Sequence, residues 1–413
     1  MSESARRTAE SAVRTFYGRL VAMLASRSGD IAAAEDALAD AFAAALATWP
    51  ERGVPDNPIA WLLTAARRNL GHARGRKATI AAGEATMILF GEERAAAEPI
   101  PFGDDRLKLM FVCAHPAIAA DVQAPLMLQT VLGLDAARIA ASFLVSPSAV
   151  GQRLVRAKAK IRNARIAFVV PDSDAIGART GAVLSAIYAA YGTGWEDVLG
   201  ADAKRKGLAE EAIWLGRLMA ELLPEDPEVR GLVALMLHCE ARRVARRDGD
   251  GAFVPLADQD PMRWSQPMIV EAETLLRAAA LHRTPGRFQT EAAIQSLHAQ
   301  SRMTGDDLRE PLVRLYDLLV ELAPWTGAAV ARAVAHAEAG YADVALAQLD
   351  DLPGCATYQP WWAARARVLW LGGDERAART AASTAAGLSD DPAVRAFLLA
   401  GGAFRVAATA PSA

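Results

Sequence analysis

The sequence has 413 residues, 52% of them hydrophobic and 23% charged, which is enough apolar material for about two to four ordered domains and leaves little room for disorder. A net charge of −3 hides an asymmetry: residues 1–168 carry 21 Lys+Arg against 16 Asp+Glu (+5), which leaves 24 against 32 (−8) for the rest. No apolar run reaches the roughly 18 residues of a membrane span, the acid-bearing stretch Met1–Glu10 is no signal peptide, and three distant cysteines (Cys113, Cys239, Cys355) speak against a disulfide framework or zinc finger, so a reducing cytoplasm is the expected compartment.

Apolar residues recur at spacings of three and four almost everywhere, which predicts an all-α fold. The first segment covers residues 10–78. Asp30 is placed to cap a helix whose buried face is Ile31, Leu38, Phe42, Ala45 and Trp49, and Pro50 with the Gly53–Val54–Pro55 stretch is expected to end it. Asn57 and Pro58 open the next helix, with Ile59, Leu62, Leu63, Ala66 and Leu70 inward. Its outer side and exit, Arg67 to Lys77, hold five cations and no acid. Residues 79–103 read as a linker with a short helical piece around Met87 to Phe90.

Residues 104–168 form a compact second segment with the strongest local signal. A helix buries Ala136, Ile139, Ala140 and Phe143, the turn Leu144–Val145–Ser146 follows, and Ser146 with Pro147 starts another helix. That helix buries Val150, Leu154, Ala157 and Ile161 and leaves Ser148, Ala149, Gln152, Arg153, Arg156 and Lys160 outward. From Ala136 to Phe168 there are seven cations and no acid. A helix that enters the major groove needs short residues near its start, donors for base edges, and cations for phosphates. An α-hairpin with a solvated basic face would have the same pattern.

Val169–Asp172 marks another expected boundary, and residues 175–413 read as helix after helix, split at Pro224–Pro227, Gly249–Gly251, Pro285–Gly286 and Pro353–Gly354. Arg332, Gly340 and Ala345 recur 33 positions on as Arg365, Gly373 and Ala378, a period that fits a tetratricopeptide-like helix pair.

The stretches AEDALADAFAAALATWP, NPIAWLLTAARRNLGHARGRKA and LDAARIAASFLVSPSAVGQRLVRAKAKIR, in that order, resemble extracytoplasmic-function sigma factors of RNA polymerase. VPDNPIAWL, FVCAHPAI and GLVALMLHCEARRVARRDGDGAFVPLADQDPMRW narrow the resemblance to the subgroup with a C-terminal tetratricopeptide-like extension. The resemblance implies that residues 10–78 are sigma region two and 104–168 region four. It implies that Glu35, Asp36, Leu38, Asp40 and Phe42 belong to the surface that docks on the polymerase β′ clamp helices, the β subunit being a further contact. It also implies that Arg67, Arg68, Asn69, Arg74, Arg76 and Lys77 hold the melted minus-ten element, and that Ser148, Gln152, Arg153, Arg156 and Lys160 read the minus-thirty-five element. Core RNA polymerase and promoter DNA are the implied partners, with no membrane and no evident anti-sigma factor.

Two departures stand out. The subgroup's paired cysteines before His-Pro are here Cys113, Ala114, His115 and Pro116, so a small buried cysteine and a turn-forming His-Pro are expected rather than a metal or redox site. The stretch Tyr191–Gly192–Thr193–Gly194–Trp195 also differs from the subgroup pattern. No phosphate loop, His-Glu-x-x-His or Gly-x-Ser-x-Gly occurs, so neither enzyme activity nor a cofactor is expected. Asp258, Gln259 and Asp260 with Arg242, Arg243, Arg263 and Trp264 read as a salt-bridged loop closing two helices rather than a ligand site. The competing functional reading is a helical-repeat interaction protein whose sigma-like half no longer reads promoters.

Overall fold

A computed structural model describes residues 3–81, 105–143, 145–195 and 207–404. Every regular element among them is helical, so the fold is all-α, and the sole extended pairing there is an isolated bridge between Arg247 and Phe253. The proposed helical piece at Met87 to Phe90 lies outside the described residues. The chain divides into two compact units, Met1–Gly194 with Asp202–Leu208, and Trp195–Ala201 with Ala209–Ala413.

The first unit starts with α1 (Glu3–Ser28), α2 (Ile31–Arg52) and α3 (Pro58–Ala81). Asp30 caps α2, its Oδ1 accepting from the Ala33 amide at 3.1 Å, and Ile31, Leu38, Phe42, Ala45 and Trp49 are buried as their spacing requires. Alpha-two runs through Pro50 to Arg52 and stops at Gly53, φ +86°, within the stretch expected to end it. A proline costs the single amide that would bond four residues back, to Leu46; that residue is exposed, where water can take the carbonyl. Asn57 caps α3 through the Ala60 amide at 3.0 Å. The Trp49 and Trp61 rings meet edge to face at 5.5 Å, which makes Trp61 a packing residue.

The unit continues with α4 (Asp105–Cys113), α5 (Ala120–Thr130), α6 (Ala136–Phe143), α7 (Pro147–Asn163) and α8 (Ser173–Trp195). Phe111, Leu109, Met110, Leu126, Met127, Leu128 and Ile139 are fully buried. Alpha-one lies against the end of α5 so closely that a Cβ on Gly18 would stand 1.6 Å from the Val131 carbonyl oxygen. Gly133 follows in the left-handed region, φ +66°, with the Tyr17 ring against it. The division between the units falls after α8 rather than at Pro171: Arg179 of α8 donates to the Phe111 carbonyl at 3.3 Å, and the Tyr191–Trp195 stretch continues that helix.

The second unit holds α9 (Leu208–Leu222), α10 (Pro227–Ala241), α11 (Gln266–Ala280), α12 (Arg287–Thr304), α13 (Arg309–Leu322), α14 (Thr326–Glu338), α15 (Ala342–Asp350), α16 (Gln359–Leu371), α17 (Glu375–Gly387) and α18 (Pro392–Leu399). Alpha-ten is buried along every residue from Gly231 to Cys239, His238 included. Its Glu228 accepts from the Phe288 and Gln289 amides, both at 3.0 Å, so one helix supplies the anionic cap of another. The turns after α14 and α16 are alike. Gly340 and Gly373 have φ +97° and +88°, and the amides of Gly340–Tyr341 and Gly373–Asp374 bond back to Ala337 and His336, and to Trp370 and Leu369. Ala345 and Ala378, 33 apart, are both fully buried.

Candidate nucleic-acid interface

Alpha-seven is built as its sequence requires. Ser146 Oγ accepts from the Ala149 amide at 3.3 Å, Pro147 occupies the first turn, and Val150, Leu154, Ala157 and Ile161 are buried. Ile139 and Ala140 of α6 are buried beneath it, but Phe143, expected inward, is 36% exposed, because it is the last residue of α6 and overhangs the turn. Leu144 lies outside the described residues.

The outer surface of α7 separates into a centre and two flanks. Ser148, Gln152 and Arg156 are exposed at the centre, with Val155 among them at 69% exposure. Arg153 and Lys160 lie on the flank towards α5. Arg153 pairs with Asp121 at 2.9 Å, and both groups are well exposed. Together with Arg156, Ile118 and Val122 they line a shallow cleft of about 340 Å³ beside the start of α5. Three cations therefore line one shallow recess, with Asp121 as the opposing charge.

The other flank carries Lys158 and Arg162 and turns towards α2. Lys158 Nζ stands 2.5 Å from Glu35 Oε2, with side chains only 11% and 17% exposed, and Arg162 Nη1 lies 3.7 Å from Asp30 Oδ2. Burial raises the Glu35 pKa, and the ammonium of Lys158 opposes that shift. Of the five residues implied for polymerase docking, Asp36 and Asp40 are exposed, Glu35 is half-buried under Lys158, and Leu38 and Phe42 are in the core. Leu38 and Phe42 can thus support such a surface only from beneath.

On α3, Arg68 is exposed, Arg67 is half-buried, and Asn69 Nδ2 donates to the Ala37 carbonyl of α2 at 3.2 Å. The side chains of Arg74, Arg76 and Lys77 lie outside the described residues. Sequence reasoning missed Asp121 and the inward role of Lys158. Position 158 is four after Leu154 and three before Ile161, at the margin of the buried stripe, and that spacing was the available signal.

The other candidate chemistries take shape as follows. Cys113 is fully buried, its Sγ 3.7 Å from Thr130 Oγ1, and burial pushes its pKa up to about 12, which leaves an inert thiol. His115 Nδ1 accepts from the Ala117 amide at 3.0 Å, so His115 forms a turn. Among the described residues no group of three or more His, Cys, Asp or Glu side chains is placed to hold a metal. The Arg242–Trp264 segment between α10 and α11 is held both by ion pairs, with Arg243 3.1 Å from Glu240 and Arg247 paired with Asp391, and by bonds from side chains to backbone. Arg263 donates to the Arg247 and Val244 carbonyls at 3.0 and 2.9 Å, and Gln259 to that of Val254 at 3.2 Å. No helix among the described residues is long and apolar enough to cross a membrane.

Residues 179–280 match a family of unknown function, DUF6596, a span from within α8 to the end of α11. No solved structure matches the chain. An uncharacterized protein of Rhizobium meliloti (strain 1021), R00370, is 38% identical over 326 residues, which is 77% of this chain and 77% of that protein. Identity at that level across most of both sequences makes this chain a member of the same family as the Rhizobium meliloti protein.

Proposed function

We propose that the chain is a sigma factor of the extracytoplasmic-function type, which binds core RNA polymerase and directs initiation at specific promoters in the cytoplasm. The observation that carries this reading is the exposed face of α7, where Ser148, Gln152 and Arg156 stand together on a helix capped at its start by Ser146 and Pro147. Such a helix presents a short hydroxyl side chain, an amide suited to adenine and a guanidinium suited to guanine, with Lys160 and Arg153 at the side for phosphates. Asp36 and Asp40, one turn apart and exposed on α2, offer the acidic contact that a basic polymerase helix needs. The exposed Arg68 belongs to the stripe, from Arg67 to Lys77, proposed to hold the melted strand.

In this reading the second unit is a tetratricopeptide-like extension, supported by the matching turns at Gly340 and Gly373, and it contributes to initiation rather than to catalysis. No cofactor is required. Run-off transcription with core polymerase and a promoter library tests the proposal. Promoter-dependent transcripts are expected from the full chain, and Gln152→Ala or Arg156→Ala should each weaken the preferred promoter by roughly 1–3 kcal/mol and relax selection at one base pair. Core polymerase that ignores the protein altogether would leave the alternative, a helical-repeat protein that only docks partners.

A further inference from the structure

The 33-residue spacing between Gly340 and Gly373 also relates the starts of three helices. Trp325, Tyr358 and Asp391 precede α14, α16 and α18 at that interval, so α18 opens a third period. Alpha-fifteen returns against α14 and α17 against α16, but among the described residues no helix follows α18 to do the same. The last member of a stack of helix pairs has one neighbour fewer than the rest, and it opens first unless something else covers it.

What meets α18 comes from far back in the chain. Between α10 and α11, Arg247 and Phe253 face each other as the two arms of a small hairpin. Asp248 fixes its tip, Oδ1 accepting from the Asp250 and Ala252 amides at 2.9 and 2.8 Å, and Gly251 turns the chain at φ +81°. Both arms reach α18. Arg247 donates to the carboxylate of Asp391, which also caps α18 by accepting from the Ala393 and Val394 amides at 2.9 and 3.3 Å. The Phe253 ring meets that of Phe397 edge to face at 5.2 Å. The base of the segment is tied down as well, since Arg302 near the end of α12 donates to the Gln259 carbonyl at 2.9 Å. Arg247 is buried and Asp391 partly so, which leaves their pair only slightly open to water.

Stacked helix pairs ordinarily touch only their neighbours, yet here residues 144 apart are fastened at two points, one ionic and one aromatic. We propose that the Arg247–Phe253 hairpin is a clasp that holds the last helix to the segment after α10, so that the array from α10 to α18 is closed end to end. With the clasp shut, the curvature of the array is fixed at both ends. Released, α18 opens and the array flexes as an ordinary stack. The hairpin lies within the span that matches DUF6596, and its catch on α18 lies beyond that span. This inference is independent of the sigma-factor reading.

Hydrogen exchange of the full-length chain, read by mass spectrometry, tests the clasp from both sides. Arg247→Met keeps an unbranched stem and removes the charge; amides of α18 should then exchange about ten-fold faster or more, while those of α14 and α15 stay within about two-fold of the parent. Asp391→Asn keeps a side chain able to cap α18 and removes the opposite charge; amides from Asp248 to Phe253 should then speed up, although the hairpin itself is unaltered. Each half loosening when the other is changed is the expected result. Loosening confined to the altered half, or exchange in α18 that is unchanged in a folded Arg247→Met variant, overturns the proposal. If Arg247→Met does not fold, Phe253→Leu gives the same reading at α18 through the aromatic contact.

Discussion

Asn69 on α3 donates its side-chain amide to the carbonyl of Ala37, 32 residues earlier on α2, at 3.2 Å. The residue lies within the stripe expected to grip the melted strand, yet its Nδ2 ties two helices together. Its substitution therefore acts first on stability. Asn69→Ala should lower the unfolding free energy of the first unit by about 1 kcal/mol, as a lost partly buried hydrogen bond does. Arg68→Ala, at an exposed neighbouring position, should leave stability unchanged and weaken only nucleic-acid binding. Urea unfolding of the two variants side by side checks the contrast.

Asp121 is the acid inside the cationic cleft of α7. An exposed ion pair such as Asp121–Arg153 contributes roughly 0–1 kcal/mol to folding, whereas a carboxylate beside a phosphate path opposes binding. Asp121→Ala is expected to raise affinity for duplex DNA and steepen its salt dependence, with a thermal midpoint near that of the parent. A fall in DNA affinity would show that Asp121 instead positions Arg153 for productive contact.

The close approach of α1 to α5 makes Gly18 a sensitive position. An added methyl would collide with the backbone carbonyl of Val131, which cannot rotate away as a side chain would. Gly18→Ala should destabilise the first unit by about 1–3 kcal/mol or more, the range for overpacking. Gly71→Ala on α3, where nothing lies within 4 Å of the new methyl, should be neutral or slightly stabilising. Paired thermal melts give the comparison.

Acid should weaken the second unit through two histidines. Burial lowers His238 and His298 to pKa values of about 4, and at His238 it outweighs the carboxylate of Glu273 at 3.4 Å, which pulls the other way. Both rings are thus neutral in the folded chain at pH 7, while the unfolded chain protonates them near 6.5. Their stabilising contribution is intact above pH 6.5, declines as the pH falls from 6.5 to 4, and levels off below. The loss is on the order of 3 kcal/mol for each ring at the plateau. Urea midpoints measured from pH 7.5 to 4.5 should fall over that window, and His238→Gln should reduce the slope.

Local chemistry was legible in the sequence wherever one helix determines its own form. Asp30, Asn57 and Ser146 all cap the helices they were expected to cap, and the stripe from Val150 to Ile161 is buried, because side-chain spacing and short polar residues act within a turn or two. What escaped was set by neighbours far along the chain. Nothing near Lys158 announces Glu35, nothing near Arg153 announces Asp121, and Val169–Asp172 reads as a boundary although Arg179 returns α8 to Phe111. Leu38 and Phe42 show the same limit from the other side: family resemblance placed them on a docking surface, while their spacing already placed them inside, and packing follows the spacing.

The matching turns at Gly340 and Gly373 carry a consequence for how the chain's end can change length. Each glycine sits in the same left-handed conformation after a helix, with the same two hydrogen bonds behind it, so the two turns can stand in for each other. Removing or copying the 33 residues from one glycine to the other rejoins the same kind of turn at the junction. A cut of any other length would bring mismatched faces together. A change of length made between these two turns is thus least disruptive when it spans the full 33 residues.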